Sequence, residues 1–83
     1  MNDSLLKPLS DLGTGERGVV RQLCGGREFT SRVTALGFTI GIEVTVLQNY
    51  GRGPIIVEVR DTRVALGWGE ALKVQVSVER GDE

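Results

Sequence analysis

Apolar and polar positions alternate repeatedly through the second half of the chain. Ile42, Val44 and Val46 fall on one side, with Glu43 and Thr45 on the other, which is the period of a half-buried β-strand. "PIIVEVR" repeats the pattern with Ile55, Val57 and Val59 inward and Glu58 and Arg60 outward. "LKVQVSVE" repeats it again, setting Leu72, Val74, Val76 and Val78 against Lys73, Gln75, Ser77 and Glu79. Turn signals separate these runs, "NYGRGP" over residues 49–54 and Asp61-Thr62. A shorter strand from Arg63 to Leu66 fits before "GWGEA", which suits one tight helical turn.

The first half reads differently. "GERGVVRQLC" has strand composition, but Val19, Val20 and Leu23 cannot share one face without a bulge. A helix follows, because Phe29, Val33 and Leu36 at i, i+4 and i+7 form one apolar stripe with Glu28 and Arg32 off it. Gly37 falls one residue past that helix, where glycine closes orphan carbonyls at low strain. Phe38 is then expected to pack back onto Val33, with Gly41 in the turn that starts the next strand. A phosphate-cradling loop needs the reverse order, glycines after a strand and before a helix, so this corner reads as structural. The pattern predicts a mainly β domain of about five short strands with one inserted helix. Closing such strands into a small barrel removes their edges, and Phe29, Val33 and Leu36 would plug one end.

Composition narrows what such a domain does. At 83 residues the chain suits a single domain near the lower limit for one hydrophobic core. Its formal charge of −1, from ten basic and eleven acidic residues, argues against nucleic-acid binding driven by phosphate neutralisation and against a basic face for anionic lipid. No stretch reaches the roughly 20 apolar residues of a membrane span. The start "MNDSLLKPL" lacks the basic and apolar regions of a secretory signal. The single cysteine, Cys24, allows no intrachain disulfide and suits a reducing compartment. The expected location is the cytoplasm. The sequence has no histidine, the commonest proton carrier at physiological pH. Arg21 and Arg27 flank Cys24 in sequence, but no base accompanies it, and a lone cysteine beside a strand reads as a small packing residue. No catalytic residues are expected.

The ordered set "RVTALGFTIGIEVTVL" and "GPIIVEVRDTRVALGWGEALKVQV" resembles the FeoA family, the small cytosolic partner of the FeoB ferrous iron transporter. Leu9, Leu12 and Gly15 match the family's opening. Arg32, Leu36, Gly37, Gly41 and Val44 match its "RL–LG–PG–V" corner. Pro54, Val57, Val59, Val64, Ala65 and Leu66 match its strand pair, and Ala71, Val74 and Val76 its close. One position departs, since Ile40 stands where the family commonly has proline. The resemblance implies an SH3-like barrel over residues 9–79, leaving 1–8 as an N-terminal extension and 80–83 as a tail. It also implies a FeoB-like membrane GTPase as partner. The same fold closes DtxR-type repressors, so a peptide-binding or oligomer-forming regulatory domain is the alternative. No DNA-binding helices precede the barrel here, which favours the stand-alone reading.

Despite the iron connection, no metal site is expected. Asp3, Asp11, Glu16, Glu28 and Glu43 lie on different elements without the convergence that a ferrous ion needs, and no cofactor is implied. Binding remains, and aromatic anchors dominate binding surfaces. Trp68, flanked by glycines, and Tyr50, at a hairpin tip, are the candidates, with Trp68 equally suited to covering the barrel mouth. Leu5 and Leu6 are apolar in an otherwise polar segment, and Leu47 and Ile56 could form an outward apolar patch. Arg52, between two glycines, could act in trans on the partner's GTP as arginine fingers do, or be a solvated loop-tip residue. A homo-oligomer is also compatible with the sequence.

Overall fold

A computed structural model describes residues 6–78. The elements run β1 (Leu6–Pro8), a 3-10 turn (Leu9–Asp11), β2 (Arg17–Leu23), α1 (Gly26–Ala35), β3 (Glu43–Gln48), β4 (Ile55–Val59), β5 (Thr62–Leu66), α2 (Trp68–Ala71) and β6 (Val74–Val78). All strand pairs are antiparallel, in the order β1-β6-β2-β3-β4-β5. This is the mainly β architecture that the alternation predicts and the SH3-like arrangement that the resemblance implies, with six strands rather than about five. The additional one is β1, within the expected extension, where Leu6, Lys7 and Pro8 pair with Ser77, Val76 and Gln75. Among the described residues the ladder runs from β1 to β5, which form its two edges.

Two bulges curl the sheet. The register of β2 against β6 shifts between Val20 and Gln22, which lets Val20 point inward and resolves the conflict among Val19, Val20 and Leu23. A second shift, between Val46 and Gln48, leaves Leu47 without an opposite residue on β4. Bulges sharpen local twist and bend a strand, and here both fall where the sheet wraps its core. That core joins Leu9, Leu12, Val20, Phe29, Val33, Phe38, Val44, Val46, Ile55, Val57, Val59, Val64, Leu66, Ala71, Val74 and Val76.

The corner after α1 forms as expected. Gly37 has φ +112°, its N–H donates to Thr34 O at 2.9 Å, and the Phe38 N–H donates to Val33 O at 3.0 Å. These are the two bonds of a Schellman stop, and Phe38 is fully buried beyond them. Leu36 departs from the expected stripe. It ends the helix with 43% of its surface exposed, because Phe38 takes the core position that Leu36 would have filled. Leu72 departs likewise, 47% exposed. It closes α2 rather than opening β6, so strand alternation does not govern it. The β4–β5 turn is Arg60-Asp61 rather than Asp61-Thr62. Both residues have positive φ, 52° and 64°, the condition for a two-residue type I′ hairpin, and Val59 pairs with Thr62.

Candidate functional site

The β3–β4 loop, residues 49–54, is held by a residue that carries no chemistry of its own. The Asn49 side-chain amide donates to Ser10 O at 3.1 Å and Leu12 O at 2.6 Å. Its Oδ1 accepts the Gly51 N–H at 2.8 Å, and its backbone N–H donates to Thr14 Oγ1 at 3.1 Å. The Oδ1 bond, two residues ahead, is an Asx turn. The amide bonds tie the loop base to the segment following β1. Neither periodicity nor charge singles out Asn49, although an Asx residue two places before a glycine in "NYG" is the signature of that turn.

On this base, Tyr50 is presented outward, 76% exposed. Arg52 follows, exposed between Gly51 and Gly53, whose φ values are +86° and +74°. Trp68 lies at the same end of the molecule. The pairing of Ile55 with Leu66 sets Pro54 beside Gly67, so the loop and the start of α2 leave one end of the β4–β5 hairpin. Trp68 is half-buried and packs against the core, so it covers that end while keeping an accessible edge. The fold therefore brings Tyr50, Arg52 and Trp68 to one end. Leu6 is elsewhere, half-buried on β1 opposite Ser77, at the end of β6 remote from α2. Leu5 lies outside the described residues. Leu47 and Ile56 are only partly exposed and make no open patch. The large exposed apolar residues besides Tyr50 are Leu36, Ile40 and Leu72. Periodicity places Leu36 and Leu72 in the core, and their exposure follows from helix ends that periodicity alone does not locate.

Glu70 secures α2. Its Oε1 accepts the Gly67 N–H at 3.1 Å, half of a capping box, and its other oxygen meets the Arg32 guanidinium of α1. The Gly67 N–H first, then Arg32, hold its carboxyl below the usual glutamate range. Beside this link, Lys73 Nζ lies 5.4 Å and the Arg32 guanidinium 6.0 Å from the Phe29 ring centroid, distances at which cations are attracted to an aromatic face.

The remaining candidates for chemistry are dispersed. Cys24 is exposed. The Glu16 carboxylate accepts the Gly13 N–H at 2.7 Å, and Glu43 lies 3.8 Å from Arg17. Asp3 falls outside the described residues. Among the described residues, no three histidine, cysteine or carboxylate side chains converge as metal ligands would. No described helix is long and apolar enough to cross a membrane. The arrangement is that of a small SH3-like domain with one anchored, aromatic-bearing end.

The FeoA domain profile matches residues 7–78. An Fe(2+) transport protein A, provisionally so described, from Methanocaldococcus jannaschii is 31% identical over 77 residues, spanning 92% of this chain and 93% of that protein. A fusion of Fe(2+) transport protein A with the transporter FeoB, from Porphyromonas gingivalis, is 32% identical over 71 residues. That match covers 84% of this chain and 8% of the fusion. Among solved structures, Stenotrophomonas maltophilia FeoA complexed with zinc superposes with TM-score 0.75 at 33% identity, covering 88% of this chain and 95% of that one. It is described as a prokaryotic SH3-domain protein that acts as a candidate ferrous-iron-transport activating factor. The chain belongs to the FeoA family, whose members are associated with ferrous iron transport.

Proposed function

We propose that this chain is a non-enzymatic cytoplasmic accessory of ferrous iron uptake that docks on the GTP-binding domain of a FeoB-like transporter. The observation that carries the reading is Tyr50, exposed on a loop that Asn49 fixes through four hydrogen bonds. An aromatic anchor held in place before binding loses little entropy on association. Trp68 and Arg52 complete the contact at the same end, and Leu6 offers a second contact from β1, with Leu5 beside it in sequence. The Porphyromonas relative joins both kinds of protein in one chain, which supports the choice of partner. Ferrous iron is the transporter's cargo on this reading, and the chain carries no resident metal. The engagement of Glu16, Glu43 and Glu70 by neighbouring groups supports that view.

The test is calorimetric titration of the full chain into the detergent-solubilised transporter, alongside GTP hydrolysis. Tyr50→Ala is expected to weaken binding at least about tenfold, the size of a modest hot spot. Arg52→Ala separates two roles. Slower GTP hydrolysis at saturating protein marks Arg52 as acting on the phosphate, whereas an unchanged rate leaves it a docking residue. Unimpaired binding by Tyr50→Ala together with Trp68→Ala overturns the site.

A further inference from the structure

The two edges of the sheet are built differently. β1 is three residues long and ends in Pro8, which has no N–H to offer. β5 has five residues paired in continuous register with β4, from Val59↔Thr62 to Ile55↔Leu66. It carries no proline, lysine, bulge or inward charge, and its one outward charge, Arg63, stands opposite Glu58 of β4. In a two-residue hairpin the closing pair, Val59 and Thr62, is hydrogen-bonded, and bonded pairs alternate along the ladder. The N–H and C=O groups of Arg63 and Ala65 therefore point away from β4, and neither residue finds another backbone partner among the described residues.

We propose that β5 is a self-pairing edge, through which two copies of this chain associate antiparallel about a two-fold axis at Val64. The register follows from neighbouring groups. Centred on Arg63, the pairing sets two guanidinium groups opposite each other, which is unfavourable, and demands extended backbone from Asp61, whose φ is +64°. Centred on Ala65, it needs the backbone of Gly67. That N–H already donates to Glu70 Oε1 at 3.1 Å, and the Gly67 carbonyl accepts from Glu70 and Ala71 at 3.1 and 2.9 Å. Centred on Val64, Arg63 faces the Ala65 position of the second copy and Ala65 faces its Arg63, so both outward residues of each strand are bonded. Each Arg63 keeps its own cross-strand neighbour Glu58, which balances its charge. On the inner face the two Val64 side chains meet across the axis, and Thr62 meets the Leu66 position. The proposal does not depend on the transporter.

A contact this small is weak, so the dimer is expected to populate over roughly 0.1–1 mM chain, read by sedimentation velocity. In amide exchange followed by NMR, protection of Arg63 and Ala65 is expected to rise about two- to threefold across that range, as mass action allows for a dimer. Thr62, Val64 and Leu66, already bonded to β4, should change little. Ala65→Pro removes an N–H that no ladder within one copy uses, and is expected to abolish both effects. Ala65→Lys, which keeps the N–H but sets a second cation opposite Arg63, serves as the independent variant and is expected to do the same. A sedimentation coefficient constant up to 1 mM, or a dimer that survives both substitutions in folded protein, overturns the proposal. So does protection of Arg63 and Ala65 that appears only when solubilised transporter is added, which assigns the edge to that partner instead.

Discussion

The 37–41 corner and the 49–54 loop are both short, each with two positive-φ glycines and one aromatic residue, yet they do opposite things. In the first, Phe38 is fully buried and the backbone closes on itself through bonds to Val33 and Thr34. In the second, Tyr50 faces solvent, and order comes from the Asn49 side chain reaching back to Ser10 and Leu12. A glycine pair says only that the chain turns. Which way the aromatic goes depends on what anchors the turn. An apolar staple draws its residue into the core, whereas an amide anchor satisfies polar backbone groups and leaves the aromatic outside. The structural corner and the candidate contact site are told apart by this difference.

Phe38→Ala tests the first anchor most severely. Emptying a fully buried phenylalanine position costs about 3–5 kcal/mol, enough to unfold much of a small domain. Its signature is a large fall in the denaturant midpoint. Asn49→Ala tests the second. It leaves the Ser10 and Leu12 carbonyls unbonded by the amide and should cost about 1–3 kcal/mol. Amide exchange at Gly51, whose N–H loses its acceptor, should quicken while that at Gly37 stays unchanged. If Asn49→Ala loosens both regions equally, the two anchors are not independent and the contrast fails.

The smallest effect concerns the carboxylate anchor of α2, the helix that Trp68 opens. Because the Gly67 N–H and Arg32 lower the Glu70 pKa in the folded state, Glu70 adds stability above its unfolded pKa, near 4.3. That contribution is lost as pH falls through the lower folded value. For a partly exposed pair it is under about 1 kcal/mol. Between pH 7 and pH 3 the wild type should therefore lose slightly more stability than Glu70→Gln, as thermal unfolding at each pH would show. Equal losses would mean that the helix cap does not depend on charge.

Much of the fold was legible in the sequence because burial imposes periodicity. Val44, Val46, Ile55, Val57, Val59, Val74 and Val76 are inward as alternation requires, and Gly37 stops α1 for a local steric reason. The errors fall where no period operates. Leu36 and Leu72 sit at helix ends, where a shift of one residue moves a side chain out of the core. β1 is too short to alternate, and only its pairing with β6 reveals it. For the site, sequence reasoning selected Tyr50, Arg52 and Trp68 as residue types, but neither their shared end nor the exposure of Ile40, at 60%, could be read.

By itself, then, the sequence determined the inward faces, the helix stop at Gly37 and the membership of the FeoA family, because these rest on local sterics, two-residue alternation and an ordered set of motifs. Only the tertiary structure decided the strand order, the β5 edge of the described sheet, the hold of Asn49 on a distant segment and the placing of the 49–54 loop and Trp68 at one end of the β4–β5 hairpin. Each of these joins residues far apart in the chain, and such contacts are set by how the sheet curls around one core.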